Sequence, residues 1–330
     1  MLPKSTLPLA VFLVLHAVSI NAAPDWSGGV GVKTVAPDLN GSAAREYLAD
    51  ALWERVEGCA RTIAAGAPNQ VMVVGCGGQY AADEIYEWKN GRFVPEPAGS
   101  VMLAFRMDGM FVKETARAAS RASWLAIDGV AGKVFAIGPD STVYSRPWAS
   151  PYAHHQWNQF VGAQSYTIPA QMTAIAAGGG HSNGDLWAIS AQPGGPGGNK
   201  IYTSEPCSAR DRIVSGRCWK GVNGAAQKVA IGKAVWVTST DGGIFRRDGD
   251  AWTKIDGCAR DIAANGEHVY VVGCDGDNGG GIVYKRFNDK WVSTRQSAKT
   301  LAVDAAGTPW LVKATGQIFR KKSATPDPIR

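Results

Sequence analysis

One pattern recurs six times along the chain and restricts the folds that the sequence can adopt. Each copy begins with an apolar residue followed by alanine: Ile63-Ala64, Leu125-Ala126, Ile175-Ala176, Val229-Ala230, Ile262-Ala263 and Leu301-Ala302. A bulky residue in a β-prone run follows: Met72, Phe135, Trp187, Trp236, Tyr270 and Trp310. Since repeats of this kind decide the architecture of a chain, we interpret them before any single motif.

Two further series follow these in the same order. A β-branched residue precedes an aromatic at Ile85-Tyr86, Val143-Tyr144, Ile201-Tyr202, Ile244-Phe245, Val283-Tyr284 and Ile318-Phe319. An aromatic ring ends each copy at Phe93, Trp157, Trp219, Trp252 and Trp291, and a sixth ring, Trp53, precedes the first copy. Four interleaved series in constant order indicate a tandem repeat of four short strands.

The length of the copies matches one blade of a β-propeller. The segment 53–320 holds about 45 residues per copy, which is typical of a four-stranded blade. Alanine suits the crowded innermost strand, and tryptophan suits the outermost strand, where neighbouring blades diverge. The sequence therefore predicts an all-β, six-bladed β-propeller with four-stranded blades. We expect a strand near Trp53 to complete the sixth blade and close the ring; a β-sandwich with accidental repetition is the alternative.

Two segments of the repeat resemble a known family. Residues 251–273 (AWTKIDGCARDIAANGEHVYVVG) and 229–252 (VAIGKAVWVTSTDGGIFRRDGDAW) are similar to tectonin repeats, and the resemblance covers about 53–320. Tectonin proteins are β-propellers and include secreted lectins that bind glycans of microbial surfaces or eggs. The resemblance implies a non-catalytic carbohydrate-binding protein whose partners are cell-surface glycans or glycoconjugates. The matching residues build the blade, so no binding residue is implied.

Residues 1–23 have the features of a secretory signal peptide. Lys4 precedes an apolar run from Leu7 to Ile20, and the small residues Ala22 and Ala23 follow. The run is too short for a stable membrane span, so we expect no membrane insertion. An ordinary hydrophobic N terminus is the alternative. Cleavage after Ala22 or Ala23 would give a mature chain that is secreted, or periplasmic in a bacterium.

The rest of the chain divides into three parts. Residues 24–52 form an N-terminal extension with a short helix predicted over 42–52, residues 53–320 form the propeller, and residues 321–330 form a tail. Asn40 begins an N-glycosylation sequon, which has meaning only in a eukaryotic secretory pathway.

The six cysteines predict disulfide bonds, because an even number in an exported chain is typical of them. Two pairs lie in near-copies, GCARTIAAGAPNQVMVVGC (58–76) and GCARDIAANGEHVYVVGC (257–274). Zinc ligation would need close pairs such as C-x-x-C, which the sequence lacks. We predict Cys59–Cys76, Cys258–Cys274 and, by elimination, Cys207–Cys218.

The connections between strands indicate where a ligand would bind. Those between the second and third strands of each blade lie at one end of the ring with those between blades, and we call this end the loop face. Its long connections are 77–84, 190–199 and 275–281, beside the inter-blade insertion 94–122. Amides, carboxylates and an aromatic ring in these loops suit a sugar. The predicted ligand-binding residues are Gln79, Tyr80, Asp83, Gln192, Asn199, Asp275, Asp277 and Asn278.

Other function classes have weaker support. The net charge of +6 is scattered along the chain, so we expect no nucleic-acid partner. Motifs of hydrolases, metalloproteases and phosphate-binding loops are absent, and His154-His155 lack obvious partners. We therefore predict no catalytic residue, no metal and no cofactor. Two alternatives stay open: a propeller hydrolase with a metal on the central axis, and a cell-envelope scaffold for protein interactions. In the inner strands, only Asp128 and Asp304 were identified as acidic.

Overall fold

The computed structural model describes residues 53–77, 84–95, 126–130, 133–137, 143–147, 158–159, 172–178, 185–206, 217–276 and 280–322. The predicted signal peptide, the N-terminal extension with its helix, the inter-blade insertion from residue 96 onward and the tail after residue 322 lie outside these ranges. Within them the chain is all-β and forms 23 strands.

The strands fall into six consecutive groups of four, except that the last group has three. The first two groups are β1 (Trp53–Ala65), β2 (Val71–Gly75), β3 (Ile85–Lys89), β4 (Arg92–Pro95), β5 (Ala126–Val130), β6 (Lys133–Ile137), β7 (Val143–Pro147) and β8 (Asn158–Gln159). The next two are β9 (Met172–Gly178), β10 (Asp185–Gly195), β11 (Gly198–Pro206), β12 (Arg217–Ala226), β13 (Lys228–Ile231), β14 (Val235–Thr238), β15 (Ile244–Asp248) and β16 (Ala251–Ile255). The last two are β17 (Ala259–Asn265), β18 (His268–Gly273), β19 (Gly281–Phe287), β20 (Lys290–Ala298), β21 (Thr300–Val303), β22 (Pro309–Val312) and β23 (Gln317–Lys321).

Antiparallel pairing between consecutive strands produces the sheets. Four sheets contain four strands each, β5–β8, β9–β12, β13–β16 and β17–β20, while a fifth has the order β21-β22-β23-β1-β2-β3-β4. Five of the six apolar–alanine landmarks lie on the first strand of their group, and Ala126 of the remaining one begins β5. The rings Trp219, Trp252 and Trp291 lie on fourth strands. Four-stranded antiparallel sheets in sequence order support the predicted β-propeller.

The long strand β1 belongs to two groups of strands. Its first half pairs with β23, from Trp53 opposite Lys321 to Cys59 opposite Gln317. Its second half pairs with β2, from Ala60 opposite Gly75 to Ala65 opposite Val71. The first strands β1, β5, β9, β13, β17 and β21 contact one another in this order, and β21 also contacts β1.

Aromatic rings join neighbouring sheets in the core. Trp187 on β10 packs edge-to-face on Trp252 of β16, with 6.2 Å between ring centroids. Trp236 on β14 meets Trp291 of β20 in the same way at 6.5 Å. In both cases the second strand of one sheet touches the fourth strand of the next, so the predicted repeat rings form the contacts between sheets. Offset and edge-to-face ring pairs contribute about 0.5–1.5 kcal/mol beyond their area burial.

The segment 190–199 differs from the expected long loop. Strands β10 and β11 continue through it as one hairpin, in which Pro193 pairs with Asn199 and Gly195 pairs with Gly198. Its tip rests on the next sheet, since the Thr240 backbone N–H donates to the Gly197 carbonyl at 3.0 Å. A second hydrogen bond joins the Thr240 hydroxyl to the Pro196 carbonyl at 3.3 Å. These contacts extend the ladder and hold the segment in a strand conformation.

Candidate functional site

The structure describes three of the eight predicted ligand-binding residues. Gln192 and Asn199 lie on the β10–β11 hairpin, and Asp275 follows β18 in a different sheet. Gln79, Tyr80, Asp83, Asp277 and Asn278 lie outside the described residues, so their role remains a prediction.

The Asp275 carboxylate forms hydrogen bonds with two residues of the following strand, β19. Its Oδ1 accepts a hydrogen bond from the Ile282 backbone N–H at 3.0 Å, and its Oδ2 accepts one from the Tyr284 hydroxyl at 2.7 Å. Burial and, secondly, the hydrogen bond to Asp275 raise the pKa of the Tyr284 phenol above its ordinary value. Both carboxylate oxygens therefore hold the β18–β19 connection against its sheet.

The two hairpin candidates also take part in local contacts. Gln192 Oε1 accepts a hydrogen bond from Lys200 Nζ at 3.4 Å, and the Gln192 backbone N–H donates to Ser190 Oγ at 3.1 Å. Asn199 stands in the ladder opposite Pro193 on one side and Ala226 on the other. The side chain of Asn199 is half-buried. Gln192 and Asn199 thus lie on the sheet β9–β12 and Asp275 on the sheet β17–β20, and no hydrogen bond between described residues joins Asp275 to the hairpin.

Two predicted disulfides are confirmed, and each lies against a glycine in the connection between the second and third strands of the neighbouring group of strands. Cys59 bonds to Cys76, and Cys258 bonds to Cys274. A Cβ on Gly242 would overlap Cys258 Sγ and lie 2.7 Å from Cys274 Sγ. Gly316 stands in the equivalent place beside the first disulfide, where an added Cβ would lie 2.6 Å from Cys59 Sγ. Only glycine at these turns leaves room for the neighbouring disulfide.

The structure describes only one cysteine of the third predicted disulfide, Cys207–Cys218. Cys218 is disulfide-bonded, while its predicted partner Cys207 lies outside the described residues.

A second junction between sheets was not indicated by the sequence pattern. The Trp252 indole N–H donates to the Asn223 carbonyl at 2.7 Å, and the Trp291 indole N–H donates to the Asp256 carbonyl at 2.8 Å. The residue after each carbonyl is a glycine with positive φ, Gly224 at 113° and Gly257 at 127°. A Cβ on Gly257 would approach Trp291 Nε1 to 3.1 Å. The available signal was a glycine five residues after a repeat tryptophan.

The first strands surround a central cavity of about 110 Å³. Its described lining comes from β1, β9, β13, β17 and β21. Polar residues line it near the loop-face ends of these strands. Besides Thr173, whose hydroxyl donates to the Ile189 carbonyl at 3.2 Å, they are Thr62, Lys228, Asp261 and Thr300. We call these four residues the axial mouth. The sequence pattern did not indicate these four residues, because each stands immediately before the apolar–alanine pair of its copy and so outside the repeated positions.

Asp261 is the buried member of the axial mouth. Its side chain is 7% exposed, and Oδ2 accepts a hydrogen bond from the Leu301 backbone N–H at 3.2 Å. Its other oxygen has no hydrogen-bond partner among the described residues. Lys228 is half-buried, and no partner for its ammonium group occurs in the part of the chain that the structure describes. The mouth thus offers a cation, an acceptor and two hydroxyls that form no hydrogen bond with one another or with other described side chains.

The opposite end of the cavity is more fully paired. Asn265 Nδ2 donates to the Val303 carbonyl at 3.3 Å. Lys233 and Glu267 form an ion pair of 2.8 Å there. Asp304, expected from the sequence to be an acidic inner-strand residue, instead accepts hydrogen bonds from the backbone N–H groups of Ala306 and Thr308, both at 2.9 Å. Asp304 therefore stabilises a turn.

The described residues contain no group of three or more His, Cys, Asp or Glu side chains that could hold a metal ion. Within them, no helix has the length and apolar character needed to cross a membrane.

Comparison with known proteins adds little beyond the fold. No protein-family model matches the sequence, and no curated protein is similar to it. YCF48 from Cyanidioschyzon merolae is a structural neighbour at 12% identity and a TM-score of 0.48, over 82% of this chain and 98% of that one. YCF48 bound to D1 peptide gives 11% identity and 0.48, over 83% and 97%, and human WBSCR16 gives 11% and 0.42, over 80% and 77%. At these values the likeness carries no functional argument.

Proposed function

We propose that the chain is a six-bladed β-propeller whose ring is closed by its N-terminal strand. Two observations support six blades. The pairing of β1 with both β23 and β2 lets one long strand complete the last blade and begin the first. The first strands also contact one another in a cycle that returns from β21 to β1. Closure of this kind pairs the N-terminal strand, so that only the short, protected edges typical of propeller blades are left.

On this scaffold we infer a secreted, tectonin-like carbohydrate-binding protein without catalytic activity. The observation that carries the proposal is the repetition of one junction, in which a tryptophan indole bonds the carbonyl before a positive-φ glycine of the preceding sheet. This junction uses the Trp strand and the glycine of the tectonin-like pattern. Equivalent junctions place equivalent surfaces around a ring, and repeated weak sites gain avidity against a glycan-coated surface.

The disulfides favour an oxidising destination. Cys59–Cys76 and Cys258–Cys274 are bonded, as expected of an extracellular or periplasmic chain. The predicted signal peptide agrees with this localisation.

A glycan array tests the proposed function. We expect the full mature chain to bind a subset of microbial or host glycans, with the same pattern in the presence of EDTA because the proposed site uses no metal. Failure to bind any glycan would refute the lectin proposal. Binding that EDTA abolishes would contradict the metal-free site and favour an axial metal.

A further inference from the structure

We propose that the axial mouth binds an acidic saccharide, with the acidic group on Lys228 and hydroxyl groups on Asp261 and the two threonines. The inference rests on the proposed lectin function and names its ligand class. It places binding on the axis of the ring, whereas the sequence placed it in the long connections.

The charge around the mouth favours an anionic ligand. Lys228 lines the cavity, and Lys299 directly precedes the lining residue Thr300 on its rim. Arg260, which precedes Asp261, donates to the carbonyls of Gly280 at 3.3 Å and Cys274 at 3.0 Å. These acceptors are neutral carbonyls. Among the described residues that line the cavity, Lys228 is the one cation and Asp261 the one carboxylate, and the Lys228 ammonium has no anionic partner there, so it favours an acidic group on the ligand.

Asp261 makes the site unsuitable for a simple anion. A buried carboxylate costs free energy unless its oxygens are hydrogen-bonded. Only one oxygen of Asp261 accepts a bond from the described chain, from the Leu301 N–H. The other oxygen suits a donor hydroxyl and repels a second anionic group. A ligand with both an acidic group and hydroxyls meets these requirements, and an acidic sugar is such a ligand.

The shape of the cavity restricts how the ligand binds. Its volume of about 110 Å³ accommodates part of one sugar residue, so a terminal residue or branch enters while the rest of the glycan stays on the loop face. At the opposite end, Lys233 is paired with Glu267. Binding is therefore expected from the loop face.

Calorimetric titration of the full mature chain tests this site. The probes are an oligogalacturonate, a sulfated disaccharide, a neutral oligogalactoside and inorganic phosphate. We expect one of the two acidic saccharides to bind, with affinity that falls as salt is added; which of them binds separates a carboxylate from a sulfate. Lys228→Gln should raise its Kd by about tenfold, as expected for loss of a charged hydrogen bond. Lys233→Gln is the matched control at the opposite end and should leave Kd unchanged.

Three further outcomes decide the proposal. An acidic saccharide that binds equally well to the Lys228→Gln and Lys299→Gln variants would overturn the axial site and leave the lectin function standing. Inorganic phosphate or the neutral oligogalactoside, if either binds as tightly as the acidic saccharide, would overturn the ligand class. Absence of binding to every probe and to every glycan on the array would refute the lectin function itself. Asp261→Asn should also weaken binding, provided that thermal unfolding shows a folded variant.

Discussion

Replacement of Gly242 by alanine tests how the disulfide of one sheet depends on the turn of the preceding sheet. Gly242 has φ of +85°, and its carbonyl accepts a hydrogen bond from the Ala259 N–H at 2.8 Å. An added Cβ would overlap the Cys258 sulfur. The substitution therefore introduces two costs: a strained backbone for an L-residue, and a methyl group where a sulfur already lies.

The magnitude follows from these two costs. A left-handed backbone costs an L-residue about 1–2 kcal/mol. Overpacking of a filled site costs about 1–3 kcal/mol more. We therefore expect Gly242→Ala to lower the free energy of unfolding by about 2–5 kcal/mol. Denaturant titration followed by tryptophan fluorescence measures the change.

A matched glycine separates the two costs. Gly91 has nearly the same φ, +82°, but no atom lies within 4 Å of its added Cβ. Gly91→Ala should carry only the backbone cost, about 1–2 kcal/mol. In a Cys258→Ala/Cys274→Ala background the sulfurs are gone, so the penalty of Gly242→Ala should fall to that of Gly91→Ala. Equal penalties in the native background, or an undiminished penalty without the sulfurs, would refute the packing argument.

Three further perturbations address the junctions, the buried phenol and the disulfides. Trp291→Phe should lower the free energy of unfolding by about 1 kcal/mol more than Trp53→Phe in the same titration. The reason is that the Trp291 indole donates to the Asp256 carbonyl, whereas Trp53 Nε1 is buried without a partner among the described residues. A larger loss for Trp53→Phe would contradict this. The raised pKa of Tyr284 means that the folded state retains this proton above pH 10, so its stabilisation is full below pH 10 and declines above it. Tyr284→Phe should therefore show a smaller loss of stability between pH 9 and 11 than the parent chain, and identical pH profiles would argue against it. Reduction of Cys59–Cys76 and Cys258–Cys274, which join residues 17 and 16 positions apart, should lower the free energy of unfolding by about 3 kcal/mol each. The loss is measured as a lower denaturation midpoint in reductant. An unchanged midpoint in the fully reduced chain would count against this.

The sequence predicted the strands well because their landmarks are imposed by packing. Alanine at positions such as Ala176 and Ala230 lies on first strands, and the rings of Trp187 and Trp236 lie on second strands in contact with the next sheet. These features repeat because each sheet packs against its neighbour in the same way. The repeat in the sequence therefore reflects the contacts between sheets.

The candidate site was less predictable for a physical reason. Asp275 is polar and lies in a connection, as a ligand residue would, yet both of its oxygens bond to Ile282 and Tyr284. Lys228 and Asp261 were missed because their exposure to the axis depends on how the first strands meet around the cavity. Residue type and spacing indicate neither the partners of a carboxylate nor the direction of a side chain at a strand start.

The pairing of β1 with β23 lies inside one sheet, and the tryptophan of β1 differs from the tryptophans at the junctions between sheets. Gln296 stands five residues after Trp291, where the other junctions have glycine, and the Trp53 indole lacks the carbonyl contact made by Trp252 and Trp291. Other contacts hold this seam. The Arg320 guanidinium pairs with Glu54 across the two strands and lies 5.2 Å from the Trp88 ring and 5.4 Å from the Trp310 ring.

These contacts join residues that are far apart in sequence. They form only when the N-terminal strand reaches the last strand, because Glu54 and Arg320 come from opposite ends of the described chain. A tryptophan–carbonyl junction needs only successive segments of the chain, whereas this seam also has to overcome the entropy of closing the longest loop. A charged and aromatic cluster at this seam, in place of a single indole hydrogen bond, is consistent with that larger cost.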